Sequence, residues 1–366
     1  MRKYAMNGIT LMQYIFLIHG SQLGTGILSI PRTLAVKSGT DGWMSIVLAW
    51  LINCLAGWIM LLVLKKYPDH TLPDLFNHLF GKWLGRLLVI PFVAYFAFTA
   101  LITMVNAMLY IKAWFLPKTP GYLIIFLFSI PSFLVVRHGL RVMARYSELV
   151  FYMLLWMPFI FLLKVGDTNW THLLPLFKEG WEPVVRGLSE TAYAFAGNEI
   201  LFFIYPFLNK KQYAVHGMII ANTITMLIYT FVTIMCFVFF SPDGITTLNQ
   251  PALNFLQNIE FRFLERFDMF FLAVYLFEVS TAWNAYAFCT AFSTSNIFNK
   301  QDHSSHALMY FLLVIGCVYI AKPTWNLSEK WTTFVSDVEV VVMYVFPLFL
   351  LIFATWLEKY RRWKSR

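Results

Sequence analysis

Two stretches of this sequence place glycine, hydroxyl and acidic residues inside apolar surroundings. The first is LGTGILSIP, Leu23 to Pro31, preceded by Gly20; the second is AGNEILFFIYP, Ala196 to Pro206. Each has a Gly-containing break, then Ile-Leu, then a proline some turns on. In the first, Gly20, Gly24 and Gly26 are expected to unwind a helix so that backbone N–H groups face a cavity, with Gly26 at a positive φ. The half-helix that follows would turn the positive end of its dipole toward a carboxylate or similar anion. The competing reading is close helix packing by Gly24 and Gly26 with a kink at Pro31.

Acidic and hydroxyl residues add to this. An ionisable residue near the centre of a membrane span costs roughly 3 kcal/mol or more and therefore needs a partner. For Glu199 the candidates are the amides of Gly24 to Gly26, the Thr25 hydroxyl or a ligand amine; the alternative is a structural carboxylate that pins two broken helices together. Glu278 is a second such acid. Its neighbours Ser280 and Thr281 offer oxygens that could help hold a cation, or they are bonded to nearby backbone. Tyr95, Thr99, Thr103, Asn106 and Tyr110 follow spacings of four, four, three and four, which sets all five on one helical face. That face lines a ligand cavity or water path, or it binds helix to helix.

Other chemistries find little support. Cys54, Cys236, Cys289 and Cys317 are isolated, with neither C-x-x-C spacing nor a nearby His, and read as small apolar packing residues. No His cluster, Ser/His/Asp set or metal-ligand spacing falls in the spans. No metal or cofactor is expected, and a membrane enzyme is the weakest class.

These residues must be positioned by a membrane-embedded chain. Of 366 residues 59% are hydrophobic and 13% charged, against about 25% charged in an average soluble domain, and mean hydropathy is +0.64. The expectation is an all-α membrane protein with ten transmembrane helices, since a crossing needs about 20 mostly apolar residues. The spans are read near 9–36, 42–64, 84–116, 121–136, 147–165, 187–208, 214–240, 268–297, 306–321 and 338–357. No cleavable signal peptide is read, because Arg2 and Lys3 precede a full-length apolar stretch without a small-residue cleavage site. The echo between spans 1 and 6 fits a five-helix offset, with one integral domain, 1–366, built from repeats at about 9–165 and 187–357. Inverted repeats bring the two breaks side by side near the midplane, which is where transporter-type sites form.

The net charge of +9 reports orientation, not nucleic-acid binding. With the N-terminus cytoplasmic, Arg2, Lys3, Lys65, Lys66, Lys82, Arg86, Arg137, Arg141, Arg145, Lys210, Lys211, Lys300 and the tail Lys359, Arg361, Arg362, Lys364 and Arg366 lie inside, 17 of the 28 basic residues. Most acids, including Asp41, Asp167, Glu179, Glu182, Glu260, Glu265 and Glu329, fall outside or in the spans. This is the positive-inside bias. Both termini are expected in the cytoplasm. The long outer loops are 166–186 and 241–267, the latter with an amphipathic helix, Pro251 to Phe263, on the membrane surface.

LGTGILSIPR followed by DGW (Asp41 to Trp43), FAGNEILFF with KKQY after it, and LERFD (Leu264 to Asp268) together resemble the B subunits of spore germinant receptors. These form the endospore germination permease branch of the amino acid, polyamine and organocation transporter superfamily. The resemblance runs over nearly the whole chain. It implies a LeuT-like 5+5 inverted repeat with broken helices 1 and 6, in the inner membrane of a bacterial spore. It also implies assembly with an A subunit and a lipoprotein C subunit, and recognition of a nutrient such as an amino acid as the signal to germinate. By that analogy Gly24, Thr25, Gly26, Gly197 and Glu199 match the broken-helix positions, while Tyr95, Thr99, Thr281 and Tyr286 fall where helices 3 and 8 meet the ligand. A nutrient-sensing receptor subunit is the leading expectation. A cation-coupled amino acid transporter is the alternative, although span 5 has no basic residue before Lys164 that could replace a coupling cation.

The orientation is checked by cysteine accessibility labelling in a Cys-less background. A cysteine at position 250 should react with an impermeant reagent from outside; labelling only from the cytoplasm would defeat the inverted-repeat arrangement.

Overall fold

The computed structural model describes residues 8–178, 180–262 and 266–364, and within them the chain is helical, apart from one isolated bridge between Ile9 and Leu208. Arg2, Lys3, Glu179, Leu264, Glu265 and Arg366, which the sequence assigns to loops and ends, lie outside the described residues. In chain order the helices are α1 (Leu11–Gln22), α2 (Ile30–Ser38), α3 (Gly42–Lys66), α4 (Leu72–Phe80), α5 (Lys82–Trp114), α6 (Gly121–Arg137), α7 (Leu140–Leu154), α8 (Glu182–Arg186) and α9 (Leu188–Ala194). There follow α10 (Leu201–Ile204), α11 (Ala214–Phe239), α12 (Pro242–Thr247), α13 (Pro251–Gln257), α14 (Phe267–Ile297), α15 (Ser304–Ala321), α16 (Trp325–Val340) and α17 (Phe346–Lys364).

Among the described residues these helices group into ten crossings. Crossing 1 is α1 and α2 with a break between them, and crossing 6 is α9 and α10 with another. Crossings 2, 3 and 4 are α3, α5 and α6. Crossing 5 is α7 continued by the 3-10 stretch Pro158–Asp167. α11, α14 and α15 form crossings 7 to 9, and α16 and α17 form crossing 10 across a π-helical turn, Val341–Val345. Leu149, Leu313, Ile320 and Ile352 point outward, each more than half exposed, as a lipid-facing surface requires.

Several boundaries differ from the sequence reading for physical reasons. Gly20 lies inside α1 rather than in unwound chain. The fifth crossing begins at Leu140, with Arg141 and Arg145 already helical. The tenth begins at Trp325, thirteen residues before the hydropathy signal, because Ser328, Glu329, Lys330 and Asp337 dilute that signal without stopping the helix. Glu329 is thus helical rather than in a loop. The amphipathic segment ends at Gln257 and buries Pro251, Ala252, Leu253, Phe255 and Leu256, with the Phe255 ring 4.8 Å from Phe161 and 4.6 Å from Phe239. It packs into the core instead of lying on the membrane.

Two features fix the frame around the breaks. The Ile9 N–H donates to Phe207 O at 3.0 Å and the Asn209 N–H to Ile9 O at 3.1 Å, so the start of crossing 1 is pinned to the end of crossing 6. The short α4 is set by a capping box in which Thr71 and Asp74 serve each other's backbone. It lies so close to α5 that a Cβ at Gly85 would sit 2.7 Å from Phe76 O and from Asn77 N. Those are backbone atoms and cannot swing aside. Gly85→Val should therefore destabilise by about 1–3 kcal/mol, read as a lower melting midpoint in detergent. Gly316→Val, where nothing lies within 4 Å, should leave the midpoint nearly unchanged.

Candidate ligand-binding site at the two helix breaks

The first break is short and open. α1 closes when the Leu23 N–H donates to His19 O at 3.2 Å, Leu23 and Gly24 are extended, and the chain resumes as a 3-10 turn, Thr25–Leu28, whose N-terminus has no side-chain cap. Uncapped N-terminal amides are an anion-binding feature wherever water or a ligand reaches them. Gly26 belongs to this turn and is absent from the described glycines with positive φ, so its expected left-handed conformation is not adopted. A Cβ at Gly24 would meet nothing within 4 Å, and one at Gly26 only Ile30 Cδ1 at 3.9 Å. These two glycines border open space and are not packing contacts. Gly20 is the packing glycine, since a Cβ there would collide with the Thr281 hydroxyl.

The second break is closed by its own acid. Gly197 has φ +133, and Asn198–Ile200 forms the following turn. Glu199, fully buried, accepts from the Gly197 N–H at 2.9 Å through Oε2, and from the hydroxyls of Tyr95 at 2.9 Å and Tyr286 at 2.8 Å through Oε1. The amides and hydroxyl of Gly24 to Gly26 are not among its bonded partners. The carboxylate thus joins crossing 6 to crossings 3 and 8. Behind it runs a polar network that sequence reasoning missed: Gln22 Nε2 donates to Asn222 Oδ1 at 2.9 Å, Asn198 Nδ2 donates to Asn53 O at 3.1 Å, and Thr225 donates to Gln22 Oε1 at 2.7 Å. Amides spaced singly along apolar helices give no periodic signal, although Gln22 beside the glycine run was a visible cue.

Between the breaks lies a cavity of about 40 Å³, room for about three waters. Of the expected site residues, Gly24, Thr25, Gly26, Thr99 and Tyr286 line it, joined by Thr103 and Asn106 from the same stripe. Tyr95, Gly197 and Glu199 stand behind that wall, Glu199 one hydrogen bond from the lining through Tyr286. Thr281 does not line it; its hydroxyl bridges Gly20 O and Glu278 O, at 2.8 and 2.7 Å, and ties α14 to α1. Ser280 likewise bonds Phe277 O and Tyr146. Both hydroxyls are thus engaged with backbone or Tyr146, and the proposed oxygen cage around Glu278 is not formed. Glu278 instead borders a larger cavity of about 480 Å³ on the other side of the first break, lined by apolar residues such as Leu23, Ile27 and Phe271 together with His19. Of the two, the smaller cavity is the one lined by convergent polar groups.

Comparison with known proteins places this geometry in context. A family model described as "Spore germination protein" matches residues 8–325. The chain is similar to spore germination protein YndE of Bacillus subtilis, 27% identical over 96% of this chain and 97% of the relative. It is also similar to spore germination protein KB of the same organism, 25% identical over 98% and 97%, and to spore germination protein GerQB of Bacillus cereus, 24% identical over 95% and 96%. Among solved structures it resembles a manganese transporter of Eremococcus coleocola bound to an aromatic bis-isothiourea compound, with a TM-score of 0.50, 15% identity, and 91% of this chain and 76% of that chain covered. That likeness is one of fold: LeuT-like, with crossings 1 and 6 interrupted.

Gly24→Ala and Gly197→Ala should part company. Alanine at Gly24 meets open space and keeps the melting midpoint, whereas at Gly197 it meets a φ of +133 and Ser21 C at 3.1 Å. A cost of about 1–3 kcal/mol for such backbone strain should lower the midpoint or the amount in the membrane. Equal midpoints for the two would refute the assignment of packing to Gly197 and of cavity lining to Gly24.

Proposed function

The chain belongs to the spore germination protein family, and from that membership we propose that it is the nutrient-sensing B-type subunit of a germinant receptor, binding an amino acid between the breaks of crossings 1 and 6. The observation that carries this reading is the uncapped Thr25–Leu28 turn, opening on a cavity shared with Thr99 and Tyr286. A ligand carboxylate would take the turn's amides, and its ammonium would meet oxygens of Thr99, Asn106 and the Tyr286 hydroxyl. Glu199 acts through Tyr286 and Tyr95, holding the wall in place. At about 40 Å³ the cavity must widen to admit a nutrient. A site whose walls must part on binding couples occupancy to a shift between two states, which is what a sensor needs.

The rest of the proposal follows from the family: a multi-pass protein of the spore inner membrane, both termini cytoplasmic, working with an A subunit and a lipoprotein C subunit, and without enzymatic turnover. Transport of an amino acid coupled to a cation is the alternative. Deleting the gene and screening single nutrients should identify the one to which spores no longer respond. Complementation with Gly26→Leu, which fills the cavity, should leave that response absent while protein remains in the membrane; a normal dose response would sink the site.

Glu199→Gln keeps the shape and removes the charge of the wall's anchor. A charge-assisted hydrogen bond is worth roughly 1.5–3 kcal/mol, so the nutrient concentration for half-maximal germination should rise about 10- to 150-fold. Purified wild-type protein in liposomes should accumulate little of that nutrient under a proton or sodium gradient. Robust gradient-driven uptake lost in Glu199→Gln would favour the transporter.

A further inference from the structure

The buried charged side chains are one-sided. Among the described residues Asp41, Glu199, Asp268, Glu278 and Glu339 are each less than 5% exposed, and no lysine or arginine joins them. Asp268 is paired with Arg266 at 3.0 Å and Asp41 accepts from the Phe177 N–H at 2.9 Å. Glu199 has its three donors. Asp41 keeps that bond through Oδ2 while its Oδ1 is enclosed without a partner; Glu339, near the end of α16, is 2% exposed, and its Oε2 too is enclosed without a hydrogen-bond partner.

Its surroundings sharpen the contrast. The π-helical turn Val341–Val345 that follows it packs on the Asn198–Ile200 turn of the second break, and Glu339 lies within electrostatic reach of Glu199. The titratable groups facing the two acids are Tyr95 from α5, Tyr286 and Cys289 from α14, and Tyr344 from the π turn. None is a cation. The Gly197 amide can only donate, and both tyrosines donate to the other Glu199 oxygen, so this donor set is built for a carboxylate anion. A second anion beside it, with one oxygen enclosed and no donor to that oxygen, would carry an uncompensated desolvation cost. Environments that differ this way push the proton affinities of two neighbouring acids apart.

We propose that Glu339 is a proton-binding residue, neutral in this arrangement beside an ionised Glu199. The proton matters to the site through a short relay. Tyr344 Oη donates to Asn53 Oδ1 at 3.0 Å, and Asn53 O accepts from Asn198 Nδ2 at 3.1 Å, so the turn after Glu339 is wired to the second break. Loss of the proton to water sets a second negative charge against Glu199 and drives the π turn away from Asn198–Ile200. A π turn carries an extra residue that a local register change can absorb. Deprotonation and rearrangement of the second break are thereby one event.

The test is infrared spectroscopy of the full chain in lipid nanodiscs at pH 7, with 13C-labelled glutamate so that its carboxyl bands are shifted away from those of aspartate, and with no nutrient, which keeps its outcome separate from the nutrient-sensing reading. Glu278→Gln serves as background to remove the other buried glutamate outside the pair. A protonated-carboxyl stretch should be present in that background and lost on adding Glu339→Gln. No such stretch in the background, or one that survives Glu339→Gln, overturns the proposal. Should Glu339→Gln fail to accumulate, Glu339→Asp replaces it: the unlabelled aspartate removes the labelled band, and a band that persists overturns the proposal equally.

Discussion

The carboxylate of Glu199 decides how the middle of this protein is assembled. A polypeptide that stops being helical at membrane depth exposes amides that lipid cannot satisfy, and Glu199 meets that constraint from within the same break, two residues from the Gly197 amide it accepts. Its other oxygen gathers Tyr95 and Tyr286 from crossings 3 and 8. Three elements distant in sequence are thus held by one group. The Gln22, Asn198 and Asn222 amides on its flank complete the set by satisfying one another, because a half-satisfied buried network would cost more than an apolar one.

The two breaks, similar in sequence, do different work. At the second, an acid follows the glycine and the backbone amide is occupied from within. At the first, Gly26 stands at the place that Glu199 takes in the second, and the turn is left without a side-chain cap. The asymmetry separates a break closed by its own acid from one left open, and the Gly26 to Glu199 difference at equivalent places accounts for it. Gly24 and Gly26 then serve by what they lack, since any side chain there would project into the space between the breaks.

Much of this was legible in the sequence. Apolar runs and the echo of LGTGIL in AGNEIL pointed to the ten crossings, the two interruptions and the cavity-lining Gly24, Thr25 and Gly26; the polar stripe added Thr99, and only the family resemblance pointed to Tyr286. What escaped has a common cause: hydropathy and periodicity see helices one at a time. Gln22, Asn53, Asn198 and Asn222 matter only because four separate segments meet, and Glu339, inside the span read near 338–357, drew no notice because it stands at the edge of that span beside the polar first half of α16. Thr281 and Ser280 looked like cation ligands beside Glu278, but a helical hydroxyl can reach a backbone carbonyl of the preceding turn, and both do. Gly20, expected in unwound chain, packs on Thr281 instead, while Gly26 borders the cavity without a positive φ, because open space and contact are decided by the neighbouring crossing.

The bridge between Ile9 and Leu208 has a mechanical consequence. With the outer ends of α1 and the Tyr205–Phe207 turn fastened by two backbone hydrogen bonds, neither segment can swing independently at that end; they travel as one yoke. Displacement must then be taken up where the backbone is already free of helix, at Leu23–Gly24 and at Gly197, so the two breaks serve as a matched pair of pivots. Any force applied between the breaks would act on both pivots at once, and the fastened ends would move together.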